Sequence, residues 1–191
     1  MRRAVVVVVL LSLFGCARNA IDPKRFSIHI TSLYAPFSVG ASYHYIGARA
    51  ETLDYDFTNE IDTIDGVACA TAHGVVRTKD GVTTTDFAEW LAQDRGGAVW
   101  LFAERVTRFR DGEPYATHEW RAGERGARPR LFMARRGPRS PLSVTTPAAT
   151  YHDVIVVGRR TYAPGVGLVR EVDGRGFLEL TSIARAAYPT R

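Results

Sequence analysis

Asp94 and Glu104 flank the reversal Arg95-Gly96-Gly97, and a hairpin closed there would face two carboxylates across neighbouring strands. Paired carboxylates in one open cleft perform general acid and base hydrolysis, at separations of about 5 to 9.5 Å in glycosidases. That makes a hydrolase using Asp94 and Glu104 one reading of the chain. Both residues also have plainer uses. Asp94 before a glycine pair suits a turn residue accepting backbone amide bonds, and Glu104 suits an ion pair with an arginine. Between them, Val99-Trp100-Leu101-Phe102-Ala103-Glu104 has the pattern of a strand, whose two-residue period puts Trp100, Phe102 and Glu104 on one face. With Trp120 beside them on the next strand, these four residues are the candidates to line the concave face of a sheet as a ligand groove. Aromatic residues at strand spacing also fill sheet cores.

Other catalytic signals are absent from the sequence. There is no Gly-x-Ser-x-Gly, Ser-x-x-Lys or His-Glu-x-x-His pattern. The five histidines, at 29, 44, 73, 118 and 152, are scattered singly without metal-ligand spacing, so neither a metal nor a cofactor is expected. Pro164-Gly165-Val166-Gly167 suits a bend or bulge rather than a phosphate cradle, because no lysine or hydroxyl residue stands in the required place. The expected protein is therefore not an enzyme. Cys69, within Val67-Ala68-Cys69-Ala70, has the setting of a small core side chain.

The other cysteine has a different setting. Arg2 and Arg3 precede an apolar run from Ala4 to Phe14 that ends on Gly15-Cys16, the parts of an export signal. The run is shorter than the roughly 20 apolar residues of a spanning helix. Leu13-Phe14-Gly15-Cys16 resembles the lipobox of bacterial lipoproteins, with Phe14 where a small or hydroxylated residue is usual. The resemblance implies that residues 1–15 are removed as a signal peptide and that Cys16, carrying palmitate-like chains, becomes the mature N-terminus. An ordinary cleaved signal or a short membrane anchor with a chance cysteine is the alternative. Two or three acyl chains, at about 0.8 kcal/mol per buried methylene, would hold the domain durably on a membrane. Ala17 after the cysteine implies, by the same resemblance, the outer membrane, with the protein facing the periplasm.

Composition narrows the partners. Loss of Arg2 and Arg3 lowers the formal charge from +5 to +3, so the mature chain is only mildly basic. Cys69 is then the only thiol left, which excludes an internal disulfide. Seven arginines lie between Arg121 and Arg139, opposed by Glu124 alone. Loops of this kind, with Arg135 and Arg136 as candidate contacts, suit an anionic lipid headgroup or an acidic envelope partner. This gives a second reading, a structural or assembly lipoprotein that docks on another envelope component. With only two lysines against 23 arginines, the cluster is also consistent with a coding bias and a solvated surface. No interleaving of basic and aromatic residues points to nucleic acid.

The elements that must position these residues are strands. Asp-Gly at 65–66, 80–81, 111–112 and 173–174, with Gly96-Gly97, punctuates segments rich in β-branched and aromatic residues, which predicts repeated hairpins. The expected strands are 41–49, 52–61, 67–79, 82–94, 98–110, 114–122, 128–133, 154–162, 167–172 and 177–183. The fold class is all-β: a single curved antiparallel meander forming a half-barrel or partial barrel, with little helix beyond the signal segment. The expected domain runs from residue 34 to 191, behind a lipidated tether at 16–33 in which Phe26, Ile28 and Ile30 alternate as in a short strand. Val154-Ile155-Val156-Val157, apolar at every position, predicts a strand buried on both faces.

Three clusters carry a wider likeness. They are Tyr34-Ala35-Pro36-Phe37-Ser38-Val39-Gly40-Ala41-Ser42-Tyr43-His44-Tyr45, Ala92-Gln93-Asp94 with Val99 to Glu104, and Tyr162-Ala163-Pro164-Gly165-Val166-Gly167-Leu168-Val169. Together they resemble an uncharacterised family of secreted or lipid-anchored bacterial β-domains, akin to the half-barrels of periplasmic lipoprotein carriers. Tyr43, Ala103 and Arg130 depart from its pattern. The resemblance implies a curved sheet in the cell envelope that holds acyl chains, and it transfers no catalytic residue. The leading expectation is thus a non-catalytic, membrane-anchored envelope protein binding a lipid-like ligand or a protein partner.

Overall fold

The computed structural model describes residues 21–135, 142–173 and 176–184; Cys16 and Arg136 lie outside the described residues. Three two-residue strands come first, β1 (Phe26–Ser27), β2 (Thr31–Ser32) and β3 (Ala35–Pro36). A meander follows: β4 (Ser42–Gly47), β5 (Thr52–Ile64), β6 (Val67–Arg77), β7 (Thr83–Asp94), β8 (Val99–Arg110) and β9 (Glu113–Arg121). Next are β10 (Arg130–Met133) and a small hairpin of β11 (Val144–Thr145) and β12 (Thr150–Tyr151). The last strands are β13 (Ile155–Val157), β14 (Arg160–Ala163), β15 (Gly167–Asp173) and β16 (Gly176–Ala184). Twelve of the strands form one sheet ordered β10-β8-β7-β6-β5-β4-β16-β15-β14-β13, with β9 also on β8 and β1 on β7. The sheet is antiparallel, curved and not closed into a barrel.

The turn chemistry explains the meander. Asp65-Gly66 and Asp111-Gly112 both take positive φ, at 50° and 80° and at 52° and 84°, the geometry of a two-residue hairpin whose twist matches its strands. Between β7 and β8 only Gly97 is left-handed, at 91°, and the Asp94 carbonyl accepts its amide at 2.9 Å. Along β4 the burial alternates, with Tyr43 and Tyr45 turned inward and Ser42, His44 and Ile46 less covered.

Curvature comes from bulges. The register shifts between Phe57 and Ile61 on β5, between Trp90 and Leu91 on β7, and between Leu180 and Ser182 on β16. Each bulge adds local twist and bend. The result is measurable by who meets whom: Phe87 on β7 and Tyr162 on β14, six strands apart in sheet order, line one recess. In a flat sheet they would be about 29 Å apart, at about 4.8 Å per strand.

Two expectations are corrected. The segment expected as one strand over 154–162 is two strands, split by a turn at which Gly158 has φ of 61°. Its apolar run is not buried on both faces: Val154 and Ile155 are fully buried, but Val156 and Val157 are each 46% exposed. The reason is position, since β13 is an edge strand paired only with β14. Within the stretch expected to be tether, the described residues 21–33 include side chains that pack on the sheet. Phe26 sits edge-on to Phe102 at 5.1 Å between ring centroids, and Ile30 is buried. The strands there are two residues each, Phe26–Ser27 and Thr31–Ser32.

An aromatic recess on the concave face

The two faces of the sheet carry separate apolar clusters. On one face, β4 contributes Tyr43 and Tyr45, β5 contributes Leu53, Tyr55 and Phe57, and β7 contributes Phe87 and Glu89, following the two-residue period. Gly74 on β6 is what lets the Phe87 ring lie flat here, because a β-carbon at that position would overlap the ring. Across this face runs the segment carrying β2 and β3, whose Phe37 ring stacks on Phe57 at 4.1 Å. The Leu33 carbonyl accepts the Gly165 amide at 2.7 Å, which ties that segment to the β14–β15 turn.

Between sheet and segment is a cavity of about 250 Å³. That is just below the ~300 to 1,000 Å³ usual for small-molecule sites. A volume of that order suits one small organic molecule. Its walls are mostly aromatic and aliphatic, and its charged groups are Glu89, Arg160 and Glu171. Arg160 Nε donates to Glu171 Oε2 at 3.0 Å. Glu89 accepts from the Tyr55 hydroxyl at 2.5 Å and, among the described residues, has no ion-pair partner within 4.0 Å.

Burial holds the Glu89 carboxyl above its ordinary value of 4.5; the Tyr55 hydrogen bond pulls it down, nearby Glu104 pushes it up, and the Arg160 charge pulls it down. Burial and the Glu89 charge also raise the Tyr55 hydroxyl. The folded state therefore holds the Glu89 proton more tightly than the unfolded chain does. Stability from this group is complete below about pH 4.5 and declines as pH rises through the folded value. Glu89→Gln is expected to remove that decline, and chemical denaturation of both forms across pH 4 to 8 checks it.

The residues singled out by sequence fall elsewhere. Register pairs Leu91 with Leu101 and Trp90 with Ala103, so Phe102 is the extra residue of a bulge. That bulge overturns the expected face-sharing of Trp100, Phe102 and Glu104, because one inserted residue swaps the faces beyond it. Trp100 and fully buried Phe102 pack in the cluster on the opposite face, whereas Glu104 is paired with Glu89 on the recess side. Trp120 lies opposite Glu104 on β9 and touches both clusters, with Arg130 over its ring at 4.1 Å. None of the four lines the recess. Their place is beside it or behind it.

Asp94 is held as a turn residue. It accepts the Ala98 amide at 3.0 Å and Trp100 Nε1 at 2.9 Å, on the face away from Glu104. The two carboxylates thus share no cleft. Asp94→Ala is expected to cost about 1–2 kcal/mol through these two bonds, measurable by urea denaturation. Arg135 is exposed and its stem covers Gly97. Burial raises the Cys69 thiol to about 12, in keeping with a core side chain. The recess residues did leave a signal, since Phe87, Glu89 and Leu91 alternate along one strand and set a carboxylate inside an apolar stripe.

Fold and recess together define an open, curved antiparallel β-sheet protein with an aromatic cavity under its N-terminal segment. Comparison with family models, curated proteins and solved structures finds no match to the chain.

Proposed function

We propose that the protein is a lipid-anchored, non-catalytic protein of the cell envelope that holds a small apolar or amphipathic molecule in the recess of its curved sheet. The observation that carries the binding part is the cavity itself: it is lined chiefly by rings and aliphatic side chains, and only a few polar groups face it. Cavities of that make-up exchange poorly solvated apolar surface for ligand contact. The export signal ending on Cys16 supports the anchor, and Ala17 supports the outer membrane, facing the periplasm. Among the described residues no helix is long and apolar enough to cross a membrane.

The test is binding of the neutral dye N-phenyl-1-naphthylamine to the mature protein in lipid nanodiscs, with empty discs as the blank. Saturable binding that is lost when Leu53→Trp fills the recess is expected. No binding above the blank by a folded protein would contradict the ligand role.

A further inference from the structure

The recess has one polar feature that an apolar ligand alone would not need. Glu89 projects from β7 among the rings of Tyr55 and Phe87, which stack on each other with centroids 5.8 Å apart. Tyr43, Tyr45 and Tyr162 line the same cavity. Glu89 is half-buried, and a carboxylate partly withdrawn from water is costly unless it is neutralised or paired. Glu89 lacks an ion-pair partner among the described residues, its one hydrogen-bond donor being the Tyr55 hydroxyl. The guanidinium of Arg160 also lines the cavity and its charge reaches Glu89, but it forms its ion pair with Glu171 and not with Glu89. Directly across the ladder on β8 stands Glu104, and like charges opposite one another on a sheet face repel.

We infer that the recess selects an organic ammonium, its cationic nitrogen seated against Glu89 and the surrounding ring faces and its apolar part filling the remainder of the cavity. This rests on the ligand-binding reading above and names the ligand class of that site. Each part of the wall then has a use. Aromatic faces carry negative charge above the ring and attract a desolvated cation, the chemistry by which aromatic cages hold quaternary ammonium groups. A cation at Glu89 supplies the partner the carboxylate lacks and offsets its repulsion with Glu104. The cavity of about 250 Å³ sets the size limit.

The test compares three probes of one shape: phenyltrimethylammonium, its uncharged isostere tert-butylbenzene, and benzenesulfonate. Their affinities are measured by ligand-observed NMR on the mature protein in nanodiscs, with empty discs subtracted. The ammonium is expected to bind about tenfold or more tightly than the isostere. Glu89→Gln, which still accepts from Tyr55, should reduce that preference to about twofold or less. Phe87→Leu should weaken the ammonium more than the isostere. The wild-type comparison stands whether or not a variant folds. Equal affinity for ammonium and isostere would overturn the selectivity and leave the apolar recess standing, and so would tighter binding of benzenesulfonate, which would point to Arg160 instead. Retained preference in a folded Glu89→Gln form would overturn the role of the carboxylate. If none of the three binds, the ligand reading falls with the inference.

Discussion

Cys16→Ser is expected to move the protein from the membrane fraction to the soluble fraction, or to leave it as an unprocessed precursor that takes up no radiolabelled palmitate. The magnitude follows from chain length. At about 0.8 kcal/mol per buried methylene, a single acyl chain gives only marginal binding, and two or more make attachment effectively permanent during fractionation. Serine offers no sulfur for the thioether, so the whole of that attachment is removed by one atom's change. Fractionation with palmitate labelling reads both parts at once. A serine form processed and membrane-bound like the wild type would refute the anchor.

Phe57→Ala is expected to be the most damaging change on the recess face. Phe57 is 4% exposed, and its ring meets Phe37 at 4.1 Å, Tyr55 at 5.1 Å and Tyr43 at 5.8 Å. It thereby joins β4, β5 and the covering N-terminal segment. Deleting a buried phenylalanine to the β-carbon costs about 3–5 kcal/mol. In a chain of this size each kcal/mol lowers the melting temperature by about 2–4 °C. Thermal unfolding followed by circular dichroism checks it. A loss below about 1 kcal/mol would mean that the segment does not pack on the sheet as described.

The sequence made the meander readable because its turns are chemical signals. Asp65-Gly66 and Asp111-Gly112 supply two consecutive residues that accept positive φ. Strand β7 could also be drawn as a helix through Phe87, Trp90 and Leu91, but the glycine pair that follows closes a hairpin. The site was less legible because a bulge leaves no mark of its own. Nothing in Trp100-Leu101-Phe102-Ala103-Glu104 shows that Phe102 is the inserted residue; only the pairing of Trp90 with Ala103 does. One unmarked residue thus sent Trp100 and Phe102 to the far face and Glu104 to the near one. The covering segment was hidden for another reason. Ile30, Tyr34 and Phe37 owe their burial to the sheet they cross, a long-range effect that local periodicity does not carry. The edge position of Val156 and Val157 was hidden likewise, since composition records apolarity but not the number of strand neighbours.

A ligand-holding role requires the recess to be occupied in the cell. Native mass spectrometry of the mature protein, released gently from its own membrane, measures this directly beside the Leu53→Trp form. One small molecule per chain beyond the acyl chains on Cys16 is expected, absent from the filled variant. The mass of the acylated chain alone in wild-type protein, or the same added mass in both forms, would contradict it.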